Sequence, residues 1–224
     1  MTMKLAIYDL DRTITRIGTY TPFLIFAARR RAIWRLLLLP IWIVLMLGYV
    51  AKIYDRKALK ERGFLLLVGS RITADELATL SNAYADHVMR RNVHAGVLDL
   101  IERDRRDGYR LVLATASPDY YAAPLGRLLG MEHVIATVQA QAPVGDYLWR
   151  IASPNCYGQD KLDMIQQWLD DQGATKTGME ARFYTDSSSD LPTLRWSTGP
   201  VAVNPSRKLH HIAVNNGWSV KTFA

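Results

Sequence analysis

The sequence predicts an α/β fold, a doubly wound parallel sheet with helices on both faces, interrupted early by an inserted α-helical cap. Two observations carry this expectation. From residue 92 onward, short apolar runs alternate with helical segments, as a parallel sheet with crossover helices requires. Before that, residues 15–91 carry helical patterns and no convincing strand, and a single short apolar run precedes them. A chain of 224 residues, 49% of them apolar, is long enough for one α/β core with a small inserted unit. The expected division is a core of residues 1–14 and 92–224 and a cap of residues 15–91.

Residues 4–8 read as a buried strand ending in an acid, and nothing at the N-terminus reads as a secretory signal. Helices are predicted over 21–31, 32–54, 56–68 and 73–90; Thr73 followed by Glu76 forms a capping box at the start of the last. A helix over 96–107 is stopped by Gly108. A strand over 110–114 follows, then a helix over 119–129 entered through Ser117-Pro118, then a strand over 133–139. Residues 147–151 are expected to pair with that strand as a hairpin across residues 143–146. Helix 159–171, strand 182–185, short helix 191–196, strand 200–204 and helix 207–215 complete the pattern.

In a sheet of this kind ligands sit outside the carboxyl ends of the strands. Four groups of reactive residues fall at such places. Asp9-Leu-Asp11-Arg-Thr13 follows the first strand, and Thr115 follows the strand over 110–114. Lys161 opens the helix after the hairpin, and Asp186-Ser-Ser-Ser-Asp190 follows the strand over 182–185. Their chemistry suits phosphoryl transfer. Magnesium wants oxygen ligands, which the carboxylates of Asp9 and Asp186 and the backbone carbonyl of Asp11 can supply. Asp9 can then attack a phosphate, and Asp11 can protonate the leaving oxygen and later activate water. Thr115 can donate to phosphoryl oxygens, while Lys161 offsets transition-state charge. Asp190 is expected to orient Lys161 or a metal-bound water, with Thr13 supporting the first turn. Taken singly, each residue has a structural explanation as a cap or a solvated side chain; their joint occurrence in chain order points to chemistry.

Together these residues resemble the four motifs of the haloacid-dehalogenase-like hydrolases. The helical insertion after the first motif, and the run Val203-Asn204-Pro205-Ser206-Arg207-Lys208-Leu209, resemble the subclass that includes phosphoserine phosphatase. The resemblance implies a hydrolase core with Asp9 as nucleophile, Asp11 as acid/base, Thr115 and Lys161 as phosphate ligands and Asp186 as a magnesium ligand. Dehalogenases of that superfamily lack the second aspartate, and its transport ATPases carry threonine there. Arg12 stands where glycine is frequent, and Ser187 replaces the glycine often found after the metal-binding aspartate. A two-component receiver domain shares strand-end acids, Thr/Ser and Lys, but takes its phosphoryl group on a later strand.

Charge and hydropathy single out the insertion. Between Arg29 and Arg62 lie nine basic residues against Asp55 and Glu61, which accounts for the whole net charge of +7. They bracket residues 36–51, which carry no charge. As a helix that run would span ~24 Å, short of a ~30 Å hydrocarbon core. A single crossing is excluded on topology, since both flanks must return to one catalytic sheet. Basic charge around an apolar run suggests an anionic membrane surface, with both flanks cytoplasmic, rather than a nucleic acid. Burial in the centre of the cap, or in a dimer interface, is the alternative. The pattern is also similar in character to the bacterial phosphatidylglycerophosphate phosphatases of the superfamily. The expected substrate is therefore a phosphomonoester: a lipid phosphate, or alternatively a soluble metabolite resembling phosphoserine. A non-catalytic membrane-associated regulator is the reading from a different class. The lone Cys156 rules out a disulfide within the chain, and the five histidines show no metal-ligand spacing.

Overall fold

The computed structural model describes residues 3–174 and 178–223. Strand β1 (Met3–Tyr8) opens the chain. The insertion holds α1 (Tyr20–Arg31), a 3₁₀ turn (Ile33–Leu38), α2 (Leu39–Val50), α3 (Arg56–Leu67), the two-residue strand β2 (Arg71–Ile72) and α4 (Ala74–Arg91). The rest alternates: α5 (Ala95–Arg106), β3 (Arg110–Pro118), α6 (Asp119–Leu128), β4 (His133–Thr137), β5 (Gln139–Gln141), β6 (Tyr147–Ile151) and α7 (Gln159–Asp171). It ends with β7 (Met179–Thr185), α8 (Leu191–Trp196), β8 (Gly199–Val203), α9 (Arg207–Asn215) and β9 (Ser219–Lys221).

Six strands form one parallel sheet in the order β4-β3-β1-β7-β8-β9. The chain winds outward from β1 through β3 to β4, then returns to the other side of β1 for β7, β8 and β9. That reversal places a topological switch beside β1, where a ligand cleft is expected. The pleat of β1 shows why the strand is apolar throughout: Leu5 and Ile7 enter the core on one face, Ala6 and Tyr8 the core on the other. On the second face Tyr8 stacks on Tyr184 with ring centroids 4.3 Å apart, and both hydroxyls donate at 2.6 Å to the buried carboxylate of Asp104.

Several predicted boundaries shift for physical reasons. The helix expected over 32–54 is split: residues 33–38 wind as 3₁₀, and α2 starts with Pro40 in its first turn, where the missing N–H costs nothing. The strand over 133–139 divides into β4 and β5, because β5 leaves the main sheet to pair antiparallel with β6. The expected absence of strands in the insertion is corrected by β2, which pairs antiparallel with β6 and so ties the insertion to the hairpin. Two residues are too few for a period-2 pattern to register. Thr73 accepts from the Glu76 amide at 3.3 Å, as its capping motif requires.

The apolar helix α2 is not buried in the cap. In the stretch Ile33–Val50, with mean hydropathy 2.1, only 6% of residues are buried. Ile41, Ile43, Val44, Leu47 and Val50 are exposed, while Trp42 turns inward and is 2% exposed. Gly63 of α3 makes this possible, since a Cβ there would lie 2.6 Å from the Trp42 ring. Gly63→Ala should therefore lower stability by ~1–3 kcal/mol through overpacking. Helix propensity alone would predict a gain of ~1 kcal/mol. Thermal and urea unfolding of the two proteins distinguish the signs.

Candidate active site

The site is built on the carboxyl ends of β1, β3 and β7 and the first turn of α7. The Asp9 amide donates to the Tyr184 carbonyl at 2.9 Å, so the turn after β1 is laid directly against the end of β7. The chain then reverses through Arg12, which adopts a left-handed conformation with φ +64°. This explains why glycine is frequent at that place: an L-residue pays ~1–2 kcal/mol there. Ser187, by contrast, is extended at φ −108°, so nothing in its backbone calls for glycine.

Lys161 is the hub. Lys161 is 1% exposed, and its ammonium donates to Asp9 Oδ1 at 2.8 Å and to Asp190 Oδ2 at 2.7 Å. Asp190 Oδ2 also accepts from the Thr185 hydroxyl at 2.8 Å, while Asp190 Oδ1 is buried with no partner. Asp9 Oδ2 accepts from the Thr13 hydroxyl at 3.3 Å, and Thr13 Oγ1 in turn accepts from the Asp186 amide at 2.9 Å. Thr13 thus fixes the spacing of the turns that follow β1 and β7. Ser206, which caps α9, donates its amide to the Asp186 carbonyl at 2.9 Å and holds that turn from the other side.

Sequence reasoning did not find the partners of Asp11. Its Oδ1 accepts from the Thr19 amide and hydroxyl, both at 2.7 Å, and its Oδ2 from the Ser117 hydroxyl at 3.2 Å. Thr115 is buried and accepts the Ser117 amide at 3.0 Å; β3 runs past it to Pro118 rather than ending at residue 114. Asp9, Asp11, Thr115, Lys161, Asp186 and Asp190 all line one cavity of about 270 Å³, with Arg56 and Tyr157 at its edge.

Charge in this cavity is unbalanced. Burial, reinforced by Asp190 and Asp186 against the pull of Lys161, raises the Asp9 carboxyl well above the usual range. Burial also raises Asp186 to about 6, with Asp190 adding to the shift and Arg12 opposing it. Burial alone would lower Lys161, but Asp190 and Asp9 outweigh it and hold the ammonium above its ordinary value. Among the described residues no three His, Cys, Asp or Glu side chains gather as a metal cluster. Two under-compensated carboxylates and an orphaned buried oxygen nonetheless fit a hard cation that keeps several waters, as magnesium does. Cys156 is buried, and burial pushes its thiol up to about 12, so it is an inert core residue.

Residues 6–195 match the haloacid dehalogenase-like hydrolase family. The chain belongs to it. Membership makes the chain an enzyme, a hydrolase. A Bordetella pertussis protein of unknown function is 29% identical and superposes with a TM-score of 0.90, covering 99% of each chain. A substrate-bound phosphoserine phosphatase shares the fold, with a TM-score of 0.63 at 11% identity over 99% of this chain and 93% of that one. Among curated relatives, a histidinol-phosphatase of Neisseria meningitidis is 26% identical over 69% of this chain and 70% of its own length. A phosphoserine phosphatase of Mycobacterium tuberculosis is 27% identical over 73% of this chain, which spans only 52% of that relative.

In this hydrolase Asp190→Asn should weaken the hold on Lys161 while keeping side-chain volume. Activity should fall ~10–100-fold, with a higher magnesium requirement. Steady-state kinetics across a magnesium titration test both effects, and an unchanged profile would remove Asp190 from the site.

Proposed function

We propose that the chain is a magnesium-dependent phosphomonoester hydrolase working through an aspartyl-phosphate on Asp9, with residues 15–91 as a cap over a core of residues 1–14 and 92–224. The observation that carries this reading is the buried Lys161 ammonium bridging Asp9 and Asp190, in the cavity that also holds Asp11, Thr115 and Asp186. The substrate is a small phosphorylated molecule, in keeping with relatives described as histidinol-phosphatase and phosphoserine phosphatase.

An Asp9 carboxylate oxygen bonds to phosphorus as the bond from phosphorus to the leaving oxygen breaks. Asp11 gives that oxygen a proton, then takes one from the water that attacks the phosphoenzyme. Inorganic phosphate leaves and the Asp9 carboxylate is restored. Thr115 and Lys161 hold the phosphoryl oxygens throughout. Bound magnesium, held by Asp9, Asp186 and the Asp11 carbonyl, would supply the charge that lets a carboxylate approach a phosphate dianion.

Asp9→Asn should reduce phosphate release from an aryl phosphate by several orders of magnitude. In the unmutated protein a chelator should abolish release and magnesium should restore it. Full activity in chelator, or near-normal turnover by Asp9→Asn, would overturn the mechanism.

A second reading concerns location. The outward face of α2 is apolar and is flanked by exposed Arg29, Arg30 and Lys52. We infer that this face docks, peripherally or monotopically, on the anionic cytoplasmic surface of a membrane and gives access to a lipid phosphomonoester. Trp42 packs on Gly63 and meets Tyr20 edge-on at 6.4 Å, which keeps α2 along the cap and favours in-plane contact over a crossing. Arg31 and Arg35 serve the cap instead. Arg31 pairs with Glu76, and Arg35 donates to the carbonyls of Leu65 and Leu66 at the end of α3. The protein should float with vesicles containing phosphatidylglycerol, less so at high salt, and changing Arg29, Arg30 and Lys52 to Gln should weaken that binding. Failure to float, or a dimer that covers α2, would sink this reading.

A further inference from the structure

We propose that the inward face of α2 forms a binding slot for an apolar arm on the substrate's leaving group. The proposal rests on the phosphatase reading and names the substrate class for the same site. A cavity of about 190 Å³ lies between α1, α2 and α3, walled by Tyr20, Trp42, Met46, Tyr49 and Leu59. It shares Asp11, Arg56 and Ala116 with the catalytic cavity, so the two adjoin along these residues.

The slot opens on the correct side for a leaving group. Lys161 and Thr115 mark where the phosphoryl group binds, and Asp11, the residue placed to protonate the leaving oxygen, lines both that cavity and the slot. An alcohol released there has its carbon chain directed toward Trp42 and Met46. The cations beside the slot are already engaged. Lys60 donates to the Ala116 carbonyl and the Asn155 side chain, while Arg56 lies over the Tyr157 ring at 3.9 Å and donates to the Tyr49 hydroxyl at 3.4 Å. The slot is therefore suited to hydrocarbon rather than to a second anion.

At ~30 Å³ per water-sized group, the slot holds about six such groups. The class is a phosphomonoester whose alcohol carries a short apolar arm.

The test uses the full chain with magnesium, without vesicles or detergent, on n-alkyl phosphates from ethyl to octyl. kcat/KM should rise about fourfold per methylene to about six carbons, then level. Alkylphosphonates, as non-hydrolysable inhibitors, should tighten in the same order. Met46→Trp, which fills the slot, should lower the hexyl-to-ethyl ratio of kcat/KM at least tenfold. Should that variant not fold, Leu59→Phe and the phosphonate series read the same slot. A flat or falling series in an enzyme that hydrolyses ethyl phosphate overturns the slot and leaves the phosphatase reading intact. Failure to release phosphate from every ester and from an aryl phosphate overturns the phosphatase reading itself.

Discussion

A single ammonium group holds this site together. Asp9, Asp186 and Asp190 converge on one cavity at the ends of β1 and β7, and mutual repulsion among carboxylates opposes that arrangement. Lys161 resolves part of it by donating to Asp9 and Asp190 from within the protein. A buried pair of this kind is weak evidence for stability, because desolvation consumes much of the attraction. Its use here is geometric. Asp9 is held in one orientation, and the charge left over on Asp9 and Asp186 suits a hard cation. Thr13 and Ser206 supply the backbone links that keep the two acidic turns in register with that ammonium.

The other end of the site belongs to the insertion. Thr19, at the entrance to α1, holds Asp11, and the Tyr84 hydroxyl of α4 holds the Thr19 carbonyl at 2.7 Å. Lys60 of α3 reaches the core through the carbonyl of Ala116, next to Thr115. The insertion and Asp11 therefore share one hydrogen-bond network, so the orientation of this carboxylate depends on the inserted helices. α2 serves this arrangement with two apolar faces. One lines a cavity that also contains Asp11 and Ala116 and the other faces out of the protein, and Gly63 sets the depth at which the helix sits.

Much of this was legible in the sequence because the signals are local. Strand β1 is a buried apolar run, α7, α8 and α9 follow helical periodicity, and Thr73 announces its cap three residues ahead of Glu76. The site residues were legible because acids and hydroxyls at strand ends of a parallel sheet must approach one another. The two-residue strand β2 was not, since its partner β6 lies more than seventy residues away and only their pairing makes it a strand.

The sequence by itself determined the fold class and the set of chemical groups at the carboxyl end of the sheet, because periodicity, capping and strand-end position are properties of neighbouring residues. Tertiary structure alone decided which of those groups touch. It paired Lys161 with both Asp9 and Asp190, gave Asp11 to Thr19 and Ser117, turned Trp42 inward, and left Ile41, Ile43, Val44, Leu47 and Val50 exposed when hydropathy allowed them to be buried. The reason is physical: such contacts are set by which strands become neighbours and how closely two helices can approach. In this chain those depend on a sheet order that reverses at β1 and on one missing Cβ at Gly63.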